Sequence, residues 1–297
     1  MNTQQAFAAY EAVRHRLPPV QRSGQRIKAE NLDEIAQHFD AFFLDAFGVL
    51  NIGETAIPGS PERVLGLQEQ GKRVLVVSNA ASLNRSDLCK KYARLGYDFA
   101  PEDVVTSREA TLNALRNEPD HLWGLMLPDT CDHHDIDYLR TVFMEDNQAT
   151  YDKVDGFLLL GSAAWTEARQ VLLEASLKSR PRPVLVGNPD IVAPRENGFS
   201  QEPGYFAHRL ADRTGIAPRF FGKPFANVYD LACARVPEID ANRILMVGDS
   251  LHTDILGGQT AGIATALVSG WGFFTGTNVD QLSLTSGILP DYVLSRP

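Results

Sequence analysis

Three aspartates in this chain could act together on a metal ion. Asp45 follows the apolar run at residues 42–44, and Asp249 and Asp254 belong to one segment, residues 248–255. If the fold brings the three carboxylates within a few ångströms, they repel one another and need a cation. Hard oxygen ligands, completed by water, select Mg²⁺. The spacing therefore predicts a magnesium site at this cluster.

Two further polar groups would make that site suitable for phosphoryl transfer. Ser78 follows the apolar run at 74–77 and supplies a hydroxyl group, and Lys223 supplies a positive charge suited to a phosphoryl oxygen. A carboxylate nucleophile, a metal, a hydroxyl and a lysine can together transfer a phosphoryl group through an aspartyl-phosphate. Taken singly, each residue is better explained as one that caps a helix in a loop between a strand and a helix. The ordered set is more specific than any of its members.

Buried strands would have to position these polar residues. The runs at 42–44, 74–77 and 244–247 are short and almost continuously apolar, and helical sequence follows each of them. This pattern predicts central parallel strands that are buried on both faces. Ligands bind outside the carboxyl ends of such strands. The predicted fold class is therefore a doubly wound, parallel α/β sheet with its site at that edge.

The N-terminal forty residues are predicted to be largely helical. Phe7, Tyr10, Val13 and Leu17 lie near one helical face, and a pair of prolines ends the helix after them. A short amphipathic helix is predicted at residues 31–39, leading into the first strand of the sheet.

A second α/β unit lies between the second and third polar strand ends. Strands are predicted at 123–127, 156–160 and 184–186, with helices near 136–143, 166–177 and 205–214. We therefore predict a core formed by residues 1–106 and 219–297 and an inserted α/β cap domain at residues 107–218. A closed cap would exclude water and select the substrate.

Composition excludes several classes of function. The chain has 297 residues, a net charge of −9 and an isoelectric point near 5.3, which argues against nucleic acid or an anionic membrane as a partner. Three scattered cysteines indicate reduced thiols. The first residues lack the apolar core of a signal peptide, and no apolar run approaches the ~20 residues that span a bilayer. We expect a cytoplasmic protein that acts on a small molecule.

The ordered set resembles the four motifs of the haloacid dehalogenase (HAD) superfamily, in its class IIA branch of NagD-like and p-nitrophenylphosphatase-like proteins. The similarity runs from Leu32 to about Gly272 and is strongest over residues 246–262. Typical of that branch are Gly222-Lys223-Pro224, Gly187-Asn188-Pro189-Asp190 and the position of the cap. The resemblance also allows a homodimer formed through the cap.

The resemblance implies a role for each site residue. Asp45 would be the nucleophile, and Ser78, Asn79 and Lys223 would hold the phosphoryl group. Mg²⁺ would be held by Asp45, the backbone carbonyl of Phe47 and Asp249, with Asp254 as a ligand or a close neighbour of the ligands. The candidate contacts to the rest of the substrate are Gly48, Asn188, Asp190 and Arg195, although the Asn-Pro-Asp residues could instead serve as a structural turn.

Position 47 departs from the family pattern. HAD phosphatases normally carry a second Asp two residues after the nucleophile, which protonates the leaving group and then activates water. Phe47 can do neither, and general acid–base catalysis typically contributes ~10²–10⁴ in rate. HAD dehalogenases also carry an aromatic residue here, but they abandon the metal site, whereas Asp249 and Asp254 are both present in this chain.

The predicted function is Mg²⁺-dependent hydrolysis of a small phosphate ester, favoured by a good leaving group. Two alternatives stay open: a catalytically weak protein that binds a phosphorylated metabolite, and a dehalogenase-type hydrolase. The Cys131–Asp135 run, Cys-Asp-His-His-Asp, could be a metal cluster, but adjacent histidines rarely bind one ion and a polar loop is the preferred interpretation. His252 is interpreted as a loop residue and not as a base.

Overall fold

A computed structural model of the chain describes residues 1–195 and 198–297. Within these ranges, no helix combines the length and the apolar character that crossing a bilayer requires. The strands are β1 Ile27–Ala29, β2 Ala41–Leu44, β3 Asn51–Ile52, β4 Thr55–Ala56, β5 Arg73–Ser78, β6 Val104–Thr106, β7 Leu122–Met126, β8 Arg140–Phe143, β9 Gly156–Leu159, β10 Val184–Val186, β11 Val192–Arg195, β12 Gly198–Gln201, β13 Arg219–Phe220, β14 Ile244–Gly248, β15 Ala264–Val268 and β16 Tyr292–Leu294. The α-helices are α1 Thr3–Ala12, α2 Ser60–Glu69, α3 Arg85–Arg94, α4 Ser107–Leu115, α5 Gln148–Lys153, α6 Glu167–Ser179, α7 Pro203–Thr214, α8 Ala226–Cys233, α9 Leu256–Thr260 and α10 Val279–Ser286.

The main sheet is parallel throughout, with strand order β1-β16-β15-β14-β2-β5-β6. The three predicted apolar strands are neighbours at its centre. Alternate residues of β2 enter different hydrophobic clusters: Phe42 and Leu44 pack in one, and Ala41 and Phe43 pack in another. Both faces of the strand are therefore covered, which explains its continuous apolar sequence. The predicted doubly wound α/β class is confirmed.

The inserted residues form a second parallel sheet, with strand order β13-β10-β9-β7-β8. The strands predicted near 123–127, 156–160 and 184–186 are present. The last strand of this sheet, β13, lies just beyond the cap boundary predicted at residue 218. The domain bounds themselves stay a prediction.

The helix predicted near 136–143 is wrong. A 3₁₀ helix at His134–Ile136 is followed by β8, which pairs with β7 in parallel register, Leu122 opposite Arg140. The run Arg-Thr-Val-Phe of β8 is short and rich in β-branched and aromatic residues, so sheet pairing prevails over the weak helical spacing.

The N-terminal region is less helical than predicted. Helix α1 begins after Asn2, whose side chain accepts a hydrogen bond from the Gln5 N–H, and a 3₁₀ turn at Arg14–Arg16 follows it. The edge strand β1, which pairs with β16, was not expected. Instead of one helix over 31–39, the structure has two 3₁₀ turns, at Leu32–Glu34 and Ala36–His38.

Candidate active site

Three aspartates converge at the carboxyl edge of the main sheet. Asp45 directly follows β2, and its N–H donates to the Val247 carbonyl of neighbouring β14 (2.9 Å). Asp249 directly follows β14, and Asp254 lies in a π-helical turn at Leu251–Ile255. Oxygens of the three carboxylates lie within 4.8 Å of one another. Within residues 1–195 and 198–297, no other group of three or more His, Cys, Asp or Glu side chains could hold one ion.

Lys223 is the cation that faces this cluster. Its Nζ lies 2.5 Å from Asp45 Oδ1 and 2.7 Å from Asp254 Oδ1, and the residue is 1% exposed. Burial by itself would lower the pKa of Lys223, but the carboxylates of Asp254 and Asp45 raise it above its ordinary value. The lysine is therefore charged, and it offsets one of the three negative charges.

The remaining negative charge is poorly compensated by the protein itself. Burial, and then the nearby Asp254, raise the pKa of Asp45 to about 7 against the opposing effect of Lys223. Burial also raises the pKa of Asp249 well above its usual range, and the charges of Asp254 and Asp45 add to that effect. When all three carboxylates are ionised, one lysine leaves two negative charges, and a divalent cation bound through oxygen would balance them.

Two glycines allow the chain to approach the Asp249 carboxylate closely. Gly48 and Gly272 have φ values of +78° and +70°, and a Cβ on either would overlap the Asp249 side chain. Asp249 Oδ2 also accepts a hydrogen bond from the Phe273 N–H (2.7 Å). The structure thus places Gly48, a predicted substrate contact, against the proposed metal ligand.

Asn79 holds the backbone of Lys223. Its Oδ1 accepts from the Lys223 N–H (2.7 Å), and its Nδ2 donates to the Lys223 carbonyl (2.9 Å). The same Nδ2 donates to Asp190 Oδ1 (2.8 Å). All the hydrogen-bonding capacity of the Asn79 amide nitrogen is therefore used within the protein. The neighbouring Ser78, whose Oγ accepts a hydrogen bond from the Ala80 N–H (3.2 Å), also lines the cavity.

The second sheet contributes the opposite wall of the site. Asn188 and Asp190 follow β10, and the Asp190 N–H donates to Asn188 Oδ1 (2.9 Å), which fixes a tight turn. Burial raises the pKa of Asp190 to about 8, although Lys223 and the Asn79 hydrogen bond act in the opposite direction. The hydrogen bond agrees with the predicted turn, and the predicted substrate-binding role of this segment stays a prediction.

Phe47 lies between two cations in the cavity. Lys91 Nζ is 5.2 Å from the ring centroid, and the Arg195 guanidinium is 4.9 Å from it. Lys91 belongs to the core and is held by the Gly53 carbonyl (3.1 Å), whereas Arg195 belongs to the hairpin formed by β11 and β12 and pairs with Glu202 (3.0 Å). The aromatic side chain therefore joins the core wall of the cavity to the cap wall.

The cavity enclosed by these walls has a volume of about 240 Å³. Eight of the predicted site residues line it: Asp45, Phe47, Ser78, Asn79, Asn188, Asp190, Arg195 and Asp249. Lys223, Asp254 and Gly48 lie behind this lining, where Lys223 contacts Asp45 and Asp254 and Gly48 lies against Asp249. Sequence reasoning missed Lys91, Glu202, Phe273 and the pocket role of Tyr10. Only Tyr10 gave a signal, as part of the apolar face of the first helix, and that signal indicated packing and not a site.

The Cys131–Asp135 segment has a structural role. Asp135 accepts two hydrogen bonds from Arg108, at 2.8 and 2.6 Å, and Arg108 is 2% exposed. His134 is largely exposed and contacts Asp137 (3.1 Å). The segment does not line the cavity, which agrees with a polar loop. His252, interpreted as a loop residue, is fully buried and pairs with Glu11 (2.5 Å).

Two related protein families match parts of the chain that contain the carboxylate cluster. A family described as haloacid dehalogenase-like hydrolase matches residues 42–133, and a second HAD-hydrolase-like family matches residues 220–296. Together the two matches span more than half of the chain and contain Asp45, Lys223, Asp249 and Asp254. The chain belongs to the HAD-like hydrolases.

Individual relatives of this HAD-like hydrolase are distant but cover most of it. An acid sugar phosphatase of Staphylococcus haemolyticus is 26% identical over 230 residues, 77% of this chain and 84% of that protein. The crystal structure of a possible sugar phosphatase from Cytophaga hutchinsonii superposes with a TM-score of 0.77 at 24% identity, covering 91% of this chain and 98% of that one, and shows the shared fold. A p-nitrophenyl phosphatase from Archaeoglobus fulgidus has a TM-score of 0.69 at 26% identity, covering 87% and 96%.

Proposed function

We propose that this protein is a Mg²⁺-dependent phosphatase that hydrolyses a small phosphate ester through a phosphorylated Asp45. One observation carries the proposal: a carboxylate at the end of the central strand, lining a cavity, pairs with a buried lysine and faces two further buried carboxylates. The names of the related phosphatases from Staphylococcus haemolyticus and Archaeoglobus fulgidus support the reaction class.

The protein side chains account for the first half of the reaction. A carboxylate oxygen of Asp45 attacks phosphorus, and the bond from phosphorus to the ester oxygen breaks as the new bond forms. Lys223, released from its pairing with Asp45, neutralises a phosphoryl oxygen, and the Ser78 hydroxyl donates to another. In the second half, water attacks the phosphorus of phospho-Asp45, which regenerates the carboxylate and releases inorganic phosphate.

The residues fit a bound magnesium ion. Asp45, Asp249 and the backbone carbonyl of Phe47 would hold it, with Asp254 as a further ligand or a close neighbour. Bound there, Mg²⁺ would supply charge neutralisation for the phosphoryl oxygens. The buried, mutually repelling carboxylates and the glycines that make room for Asp249 are the observations that support this assignment.

Phe47 determines which esters react well. Its ring lies in the cavity and carries no proton to give to a leaving oxygen. Esters whose leaving groups are weak bases, such as aryl and acyl phosphates, need little protonation, whereas sugar alkoxides need it. We therefore propose that, among esters that enter the site equally well, aryl and acyl phosphates have higher rates of hydrolysis than sugar phosphates.

The cavity walls favour a small, hydroxylated leaving group. The residues that line a space of about 240 Å³ include donors, on Lys91, Arg195 and Asn188, and acceptors, on Glu202 and Asp190. Such a mixture suits a sugar or polyol phosphate better than an extended apolar ester. The sugar phosphatase name of the staphylococcal relative is consistent with this substrate class.

A panel of phosphate esters assayed with and without Mg²⁺ tests the proposal. Turnover of p-nitrophenyl phosphate that EDTA abolishes and Mg²⁺ restores is the expected result. Turnover of a haloacid in EDTA would instead indicate a dehalogenase. Binding of phosphorylated sugars without turnover would favour the alternative that the protein only binds a phosphorylated metabolite. The absence of the acid–base Asp at position 47 is compatible with that alternative. A cytoplasmic location and a homodimer stay predictions from the sequence.

A further inference from the structure

Helix α1 lies outside both family matches, yet it contacts the core and the cap at once. From these contacts we infer that α1 is part of the active site and that Tyr10 is a positioning residue, which holds the cap segment at Asp190 and Ile191 over Asp45. Because the inference describes this cavity as an active site, it rests on the proposed function. Its structural part depends on contacts that can be tested without turnover.

Tyr10 bridges the two halves of the molecule. Its hydroxyl oxygen accepts a hydrogen bond from the Ile191 N–H of the cap segment (3.1 Å). Its ring stacks on His252 of the core, with centroids 5.0 Å apart and planes 10° apart, and meets Phe273 at 6.1 Å. Tyr10 is 2% exposed and lines the cavity. A buried backbone N–H needs an acceptor, so this hydrogen bond fixes where the cap segment sits.

Asp190, the residue before Ile191, is connected to the nucleophile through Asn79 and Lys223. Asp190 precedes Ile191 and accepts from Asn79, which clamps the backbone of Lys223 through two hydrogen bonds. Lys223 in turn pairs with Asp45. A change in the position of Ile191 would therefore displace Asp190 in the cavity wall, whereas the two hydrogen bonds from Asn79 would still hold the backbone of Lys223.

Helix α1 is anchored on the core side close to the carboxylates. Glu11 contacts His252 (2.5 Å), which lies in the same π-helical turn as Asp254. Thr3 donates to the carbonyl of Phe273 (3.2 Å), the residue whose N–H binds Asp249.

On the cap side, Arg16, just after α1, forms an ion pair with Asp212 of α7. One hydrophobic cluster joins all three regions: from the N-terminal segment Ala6, Phe7, Tyr10, Val13 and Leu17, from the cap Ile191 and Val192, and from the core Leu251, Ile255, Leu256, Leu267, Phe273, Phe274, Val279 and Ile288.

This arrangement separates two kinds of substrate contact. The phosphoryl group meets Asp45 and Lys223 of the core, whereas the leaving group meets the cap wall that Tyr10 holds. Loosening the cap should therefore weaken binding of a bulky leaving group and spare a substrate whose leaving group is too small to reach the cap.

Tyr10→Phe tests the inference, with Phe7→Leu as the matched control. Phe7 packs in the same cluster and against His252 (5.3 Å), but its side chain has no polar group to bind the cap backbone. Tyr10→Phe keeps the ring and removes the acceptor for the Ile191 N–H. We expect it to raise KM for glucose 6-phosphate about tenfold, since a buried donor loses its partner. We expect kcat/KM for acetyl phosphate to change by less than about twofold.

Hydrogen exchange of the Ile191 amide gives a second readout that needs no turnover. Exchange should be faster in Tyr10→Phe and unchanged in Phe7→Leu at equal thermal stability. Equal losses on both substrates, or an Ile191 amide as well protected as in the wild type, would overturn the inference. A wild-type protein inert toward every phosphate ester would instead refute the proposed function, and the exchange experiment would still decide whether Tyr10 holds the cap.

Discussion

Replacing Phe47 with Asp restores the carboxyl group that the family normally carries two residues after the nucleophile. If the site is otherwise complete, Phe47 removes only proton transfer, so wild-type rates should depend steeply on the pKa of the leaving group. Phe47→Asp should flatten that dependence. It should raise turnover of alkyl phosphates by up to ~10²-fold, the lower end of what general acid–base catalysis supplies.

The contacts of Phe47 indicate how much stability this substitution removes. The variant loses two cation–π contacts, with Lys91 at 5.2 Å and Arg195 at 4.9 Å, which together contribute roughly 1–2 kcal/mol. The new carboxylate lies between the same two cations, and ion pairing with them would offset part of that loss. We therefore expect a folded protein of modestly lower stability.

The assay compares p-nitrophenyl phosphate with a sugar phosphate in saturating Mg²⁺. Phe47→Asn is the matched control, because it has the shape of Asp and removes the same ring but cannot transfer a proton. Only the Asp variant should gain activity toward the sugar phosphate. Intact-mass measurement during turnover should also detect phospho-Asp45 in the wild type, where no side chain at position 47 activates water.

Two results would refute this reasoning. Similar rates of Asp45 phosphorylation from aryl and sugar phosphates, measured in single turnovers of the wild type, would mean that another group donates the proton. Asp190, a cavity carboxyl whose pKa is raised to about 8, would be the first residue to test. A folded Phe47→Asp protein no faster than Phe47→Asn on any ester would show that position 47 does not limit the reaction.

Three further predictions concern the nucleophile, the metal and the pH dependence of stability. Asp45→Asn should abolish turnover of p-nitrophenyl phosphate. It should keep or raise the melting temperature, because it removes a buried charge from a repelling cluster. Turnover by this variant at the wild-type rate would exclude Asp45 as the nucleophile. Mg²⁺ should raise the melting temperature of the wild type, and Asp249→Asn should abolish that shift. Burial lowers the pKa of His208 to about 4, so between about pH 6.5 and 4 the unfolded chain binds a proton that the folded one does not, and stability falls as the pH falls. Because of this histidine, the free energy of unfolding measured in urea should be about 2 kcal/mol lower at pH 5 than at pH 7. In His208→Gln, whose side chain does not titrate, the difference between the two pH values should be smaller by that amount.

The sequence alone determined the fold class and the chemical inventory of the site. The central strands could be recognised because burial on both faces forces continuous apolar runs, and polar residues directly after such runs must emerge at one edge. That rule predicts the location of Asp45, Ser78 and Asp249 from local sequence alone. The departure at Phe47 was visible for the same reason, since its distance from Asp45 along the chain is fixed.

Only the tertiary structure decided how the walls of the cavity are built. Tyr10 meets Ile191 across 181 positions of sequence, and Glu11 meets His252 across 241, contacts that no local period encodes. Asn79 was expected to hold phosphate, and the structure shows its amide occupied by the protein. Side-chain identity shows which hydrogen bonds a residue can make. The packing of the cap, the core and the N-terminal helix selects among them, because a buried polar group binds whichever partner the fold brings within reach.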